Sequence, residues 1–150
     1  MSLTTKIKLD FDTSALEQDF FEETRLLGIT ASIKNYQFCW QLNKATGYNF
    51  RLNTSIEIQK KKRNRDYFFP VYDYRENNAF LTHYIYHNHC DGEYLLPEFK
   101  HMDFLWLMKG DTVSNERCGE YLHIAKTISG VQMVAELTIE KITNKENMVF

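Results

Sequence analysis

The run Phe104-Leu105-Trp106-Leu107-Met108 constrains the fold of this chain more than any other stretch. Successive side chains of a strand point to opposite faces, so a run that is apolar at both parities demands cover above and below. It predicts the central, best-buried strand of a sheet with packing on either side. The aromatic share, 15% of residues, agrees, because flat rings pack well on a pleated surface.

Around that strand the apolar period switches between two and 3.6. Lys6 to Phe11 alternates polar and apolar and predicts a short first strand. A capping box, Ser14-x-x-Glu17, precedes Leu16, Phe20 and Leu27. Two readings follow: one helix as far as Gly28, or a brief helix ending near Glu22 and a strand over Arg25 to Thr30. Tyr36, Cys39, Trp40 and Asn43, widened by Phe38, Leu42 and Ala45, predict a helix between Ser32 and Gly47, capped by Ser32 or Asn35. Phe50, Leu52, Thr54, Ile56 and Ile58 then alternate with polar neighbours as far as Gln59, the pattern of a half-buried strand. A basic connection, Lys60 to Arg65, leads into a strand over Tyr67 to Tyr74, where Pro70 lacks a ladder donor and implies an edge or a bulge. Arg75 to Asn78 turns the chain into Ala79–Asn88 as a hairpin, and Asp91-Gly92 makes a further turn. Ser114 caps a second helix with Cys118, Tyr121, Leu122, Ala125 and Ile128 on one stripe and Gly130 at its end. Val131 to Ile139 alternates as the last strand.

These elements predict one α+β domain over residues 1–150, a mixed, mainly antiparallel sheet of about five or six strands packed by two or three helices. Strand, helix and strand from Phe104 to Ile139 suggest a parallel crossover beside the antiparallel hairpins. With two prolines and six glycines there is no linker composition to divide the chain.

Leu96-Pro97-Glu98, followed after three residues by Met102-Asp103-Phe104, joins a proline turn and two carboxylates to the start of the buried strand. The spacing resembles the bacterial IPExxxVDY family, with Leu96 for the isoleucine, Met102 for the valine and Phe104 for the tyrosine. Tyr36 to Asn43 and the ending Asn147-Met148-Val149-Phe150 extend the resemblance over most of the chain. The family name implies no substrate, cofactor or catalytic residue. Phe104 in place of the tyrosine argues against a required hydroxyl there.

Glu98 and Asp103 are the sharpest chemical candidates, as an acid/base pair or cation holders. Turn locking comes first: Pro97 fixes its own φ, and each carboxylate can accept backbone N–H groups. Partner recognition ranks second and catalysis last. His87 and His89 share one side of an extended strand and, with His101, form a weak candidate metal set, from which His83 lies too far. Lys60, Lys61, Lys62, Arg63 and Arg65 beside Tyr67, Phe68 and Phe69 combine phosphate neutralisation with stacking faces, the ingredients of an RNA-binding module. Asp66 and a formal net charge of −2 weigh against it.

No nucleophile elbow or phosphate-cradling glycine loop is present, which leaves no cofactor and no catalytic residue to name. Three cysteines, Cys39, Cys90 and Cys118, are odd in number and never form C-x-x-C, as fits a reducing cytoplasm. No apolar run suggests a signal peptide or a membrane span. The expected function is contact with proteins, either an unidentified partner or a second copy in a homodimer, with RNA binding and metal-assisted catalysis as rivals.

Overall fold

The computed structural model describes residues 15–150; the strand expected at Lys6–Phe11 and the Ser14 cap lie outside the described residues. The second reading of the first segment is the one observed. Among the described residues helix α1 covers 15–20 and ends there, Glu23 turns the chain at φ 54°, and strand β1 follows at Arg25–Ala31. Gly28 therefore stops no helix. It sits in the middle of β1, where a Cβ would lie 2.9 Å from Met102 Sδ and 3.1 Å from Leu137.

Helix α2 occupies Asn35–Thr46 and closes at Gly47, whose φ of 78° suits a residue without Cβ. Lys34 takes the N-cap position, with its N–H donated to Gln37 Oε1, while Asn35 Oδ1 accepts the Tyr36 N–H. The buried stripe is Phe38, Cys39 and Leu42; Tyr36 and Trp40, expected with it, turn outward. Both sets satisfy helical spacing, and the bulkier ring pair lost the core to the flatter fit of Phe38 on Phe104, stacked at 4.5 Å and 8°.

The strand expected over Phe50 to Gln59 does not form as one piece. Strand β2 is only Arg51–Leu52, after which Asn53 Oδ1 accepts the Ser55 N–H and its amide donates to Asp73 Oδ2. This side-chain turn breaks the extended chain despite the alternation. Strands β3 (Ile58–Lys62) and β4 (Arg65–Phe69) form a hairpin about Arg63 and Asn64, both at positive φ. The basic run thus lies largely on paired strands. Pro70 ends β4, and β5 (Val71–Arg75) enters a different sheet.

After the expected turn come β6 (Thr82–His87), the small hairpin of β7 (His89–Cys90) and β8 (Glu93–Tyr94) around Asp91-Gly92, and β9 (Phe104–Lys109). Helix α3 (Asn115–Thr127) starts at Ser114, whose Oγ accepts the Arg117 N–H at 3.1 Å, and buries Cys118, Tyr121 and Ala125. Strand β10 is Val131–Leu137.

The fold is α+β: the described residues form a six-stranded sheet in the order β10-β1-β9-β6-β5-β2 and three helices. Each neighbouring pair in the sheet is antiparallel. Strands β9 and β10 do run the same way across α3, but β1 lies between them, so the crossover makes no parallel ladder. Phe104 to Met108 are buried without exception, as a strand covered on both faces requires. Phe104, Trp106 and Met108 join the core under α2 and α3. Leu105 and Leu107 join a second core beneath Phe20, Phe21, the β3–β4 hairpin, Leu95, Leu96 and the C-terminal turns through Met148.

Candidate functional site

The Leu96–Phe104 motif is tied back into the molecule through the Leu96 N–H and the Glu98 and Asp103 carboxylates. Leu96 is buried and donates its N–H to Asn88 Oδ1 at 2.8 Å; Pro97 opens a short 3-10 turn through Phe99. The Glu98 carboxylate accepts the Asn144 N–H at 2.8 Å and the Asn144 side-chain amide at 3.0 Å, tying the C-terminal segment to the loop. Burial opposes ionisation of Glu98, yet those hydrogen bonds leave its carboxyl below the ordinary range. Asp103 Oδ2 accepts the Ala31 N–H at 2.8 Å and Oδ1 meets His89 Nε2 at 2.8 Å. Met102 is buried against β1, and Phe104 packs between Phe38 and His87. Asn88, fully buried, is the hub that the motif conceals: its amide donates to the carbonyls of Phe99 and Met102. The two carboxylates face different partners.

His87 and His89 do come together, with ring centroids 4.9 Å apart. His89 is committed to Asp103, whereas His101 neighbours Phe99 and its carbonyl accepts the Thr30 hydroxyl. No group of three His, Cys, Asp or Glu side chains among the described residues is placed to hold a metal ion. Burial, reinforced by the facing His89, lowers His87 to a pKa of about 4.

Much of the basic run is neutralised from within. Lys62 pairs with Glu93 at 3.2 Å, Lys60 lies 3.6 Å from the same carboxylate, and Arg65 pairs with Asp91 at 3.0 Å. Lys61 and Arg63 make no ion pair among the described residues. Of the three aromatic faces that were to stack on bases, Phe69 is buried, Tyr67 lies against Arg65, and Phe68 is exposed.

A polar cluster that no local pattern announces gathers on the helix side of the sheet. Glu76 Oε1 receives His83 Nε2 at 2.9 Å, Tyr121 Oη at 2.7 Å, Tyr48 Oη at 2.9 Å and the Arg117 guanidinium. The two tyrosine oxygens are 2.8 Å apart, so two hydroxyl protons serve three close O···O contacts. Trp106 Nε1–H can only donate, and it meets His83 Nδ1 at 3.0 Å. The proton of the neutral ring therefore sits on Nε2 and points at Glu76. Burial lowers the His83 pKa; burial would raise Glu76, but Arg117, His83 and the tyrosines overcome it and hold the carboxyl at about 2. The only signal in the sequence was Tyr121, a hydroxyl in an otherwise apolar stripe. Among the described residues no buried side-chain nitrogen or oxygen lacks a partner.

The surface differs on α2. Tyr36 and Trp40, one turn apart, are 55% and 61% exposed. Lys44 Nζ stands 4.4 Å from the Trp40 ring centroid. Beside Trp40 a depression of about 320 Å³ is lined by Gln41, Lys44, Ala45, Thr127 and Ile128, with Lys44 its one charged residue among the described residues. No Asp or Glu occurs between Glu23 and Glu57, although the chain as a whole is acidic. No helix among the described residues is long and apolar enough to cross a membrane. Comparison with family models, with curated proteins and with solved structures found no match.

Proposed function

We propose that this chain is a protein-binding module that seats an acidic partner segment across the outer face of α2. The carrying observation is the Tyr36/Trp40 pair, two large rings left in water one helical turn apart beside a depression whose only charge is positive. Tyrosine and tryptophan dominate binding energy where a partner removes them from solvent, because they bury much area for few rotatable bonds. Lys34 beside the Tyr36 ring and Lys44 beside the Trp40 ring, in a stretch free of acids, select for negative charge in what lands there. Three unpaired thiols suit action in the reducing cytoplasm. The resemblance to the IPExxxVDY family names no activity and leaves this reading to the surface alone.

Extract of the source cells passed over immobilised wild type, the Tyr36→Ala/Trp40→Ala double variant and Phe80→Ala provides the test, with retained proteins identified by mass spectrometry. Phe80 is exposed on the turn between β5 and β6, so it controls for loss of a bare ring. A partner retained by wild type and Phe80→Ala but lost from the double variant is the expected result. Trp106 is sealed in the core, so a blue shift of tryptophan emission on adding that partner reports Trp40. Equal retention by the double variant overturns the reading.

A further inference from the structure

The two edges of the main sheet are unequal. At one end β2 is a two-residue strand, too short to template another chain; at the other, β10 runs over Val131–Leu137. Ile29 C=O accepts the Asp103 N–H on the β9 side, and Ala31 N–H also reaches Asp103, so odd-numbered residues of β1 turn their main-chain groups toward β9. Val134 lies opposite Ile29 and Glu136 opposite Leu27. Their N–H and C=O groups consequently point away from β1, toward the side on which β10 pairs with no other strand among the described residues.

The pairing of β1 with β10 skips Gln132, an irregularity that leaves Met133 to Leu137 as the regular part of the edge. That part carries neither lysine nor proline. Its one ionisable side chain, Glu136, is already paired with Arg25 at 3.1 Å. Met133 is 42% exposed.

We infer that this edge joins a second copy of the chain, the two β10 strands pairing antiparallel about a twofold axis at Ala135. In that register Val134 of each copy meets Glu136 of the other and exchanges both main-chain hydrogen bonds with it. Met133 lies opposite Leu137 of the second copy, and Ala135 opposite itself, which makes one unbroken apolar row with no like charges face to face. The row follows from the strand's own order of residues, so the surface is self-complementary. This inference stands apart from the α2 reading, since it uses neither Tyr36 nor Trp40.

Sedimentation velocity at high micromolar concentration tests it on the full chain. Wild type should sediment at twice the 17.9 kDa chain mass. Met133→Lys, which places a cation in the row twice by symmetry, should sediment as the monomer, and at a dilution where wild type is also monomeric its unfolding midpoint should equal that of wild type. In a Cys90→Ser background, Ala135→Cys should oxidise to a covalent dimer while Gln132→Cys stays monomeric. A wild-type monomer, or a dimer that Met133→Lys leaves intact, overturns the inference.

Discussion

A single carboxylate oxygen, Glu76 Oε1, fastens α3 to the sheet and to the segment after α2, because its donors come from Tyr48, His83, Arg117 and Tyr121. Removing it strands several polar groups at once. Glu76→Ala is expected to lower stability by about 2–4 kcal/mol, read from the denaturant midpoint, since a broken network leaves its partners desolvated and unpaired. A loss under a few tenths would mean that water replaces the carboxylate without penalty. Acid should act in two windows, on the histidines His83 and His87 and on Glu76. His83 and His87 are held neutral by burial in the folded chain, whereas the unfolded chain takes up their protons near the ordinary value of 6.5. Their contribution is complete above pH 6.5 and declines as pH falls, for His87 until about pH 4. Glu76, held at about 2 against an ordinary 4.5, contributes fully above pH 4.5 and loses that contribution on the way to pH 2. His87→Gln should therefore flatten the dependence of Tm on pH between 6.5 and 4 and leave the steeper fall below it. An unchanged slope in that upper window would remove His87 from the account.

At the scale of elements, Asn88 links β6 to the motif loop by donating to Phe99 and Met102 and accepting from Leu96. Asn88→Ala should cost about 2–4 kcal/mol, because three main-chain groups lose their partner in a site without access to water. Glu98→Ala should cost only about 0.5–1.5 kcal/mol, being an exposed tie to Asn144, and should leave partner capture unchanged. Loss of capture at normal stability would instead make Glu98 part of the binding surface. The contrast shows what sequence periodicity carries. It found β9, α3 and the turn from β5 into β6, where apolar spacing and turn chemistry agree, but ran β4 and β5 together over Tyr67 to Tyr74, which Pro70 splits between two sheets. It failed from Phe50 to Gln59, where the Asn53 side chain makes a turn that alternation does not register. On α2 it counted two stripes as one, and only packing against Phe104 decided which faced inward. Asn88 and Glu76 were hidden for another reason: their partners lie far along the chain, and no local spacing encodes that convergence.

At the scale of the molecule, the sheet divides two cores that share strands β1, β6, β9 and β10, with β9 buried on both faces along its whole apolar run. Phe104, Trp106 and Met108 serve the helix side while Leu105 and Leu107 serve the other, so neither core can loosen without exposing a face of β9. The continuous apolar run of β9 thus couples the halves. Phe38→Ala on the helix side should cost about 3–5 kcal/mol and Leu107→Ala on the opposite side about 2–5 kcal/mol, each by transfer plus cavity. The informative quantity is the shape of the transition. If β9 couples the cores, either substitution moves one common midpoint, and tryptophan emission, which follows buried Trp106, coincides with far-ultraviolet circular dichroism in both variants. Separated midpoints in Leu107→Ala, with emission holding while circular dichroism falls, would show that the layer of hairpin and C-terminal turns unfolds independently and that β9 divides the cores without joining them.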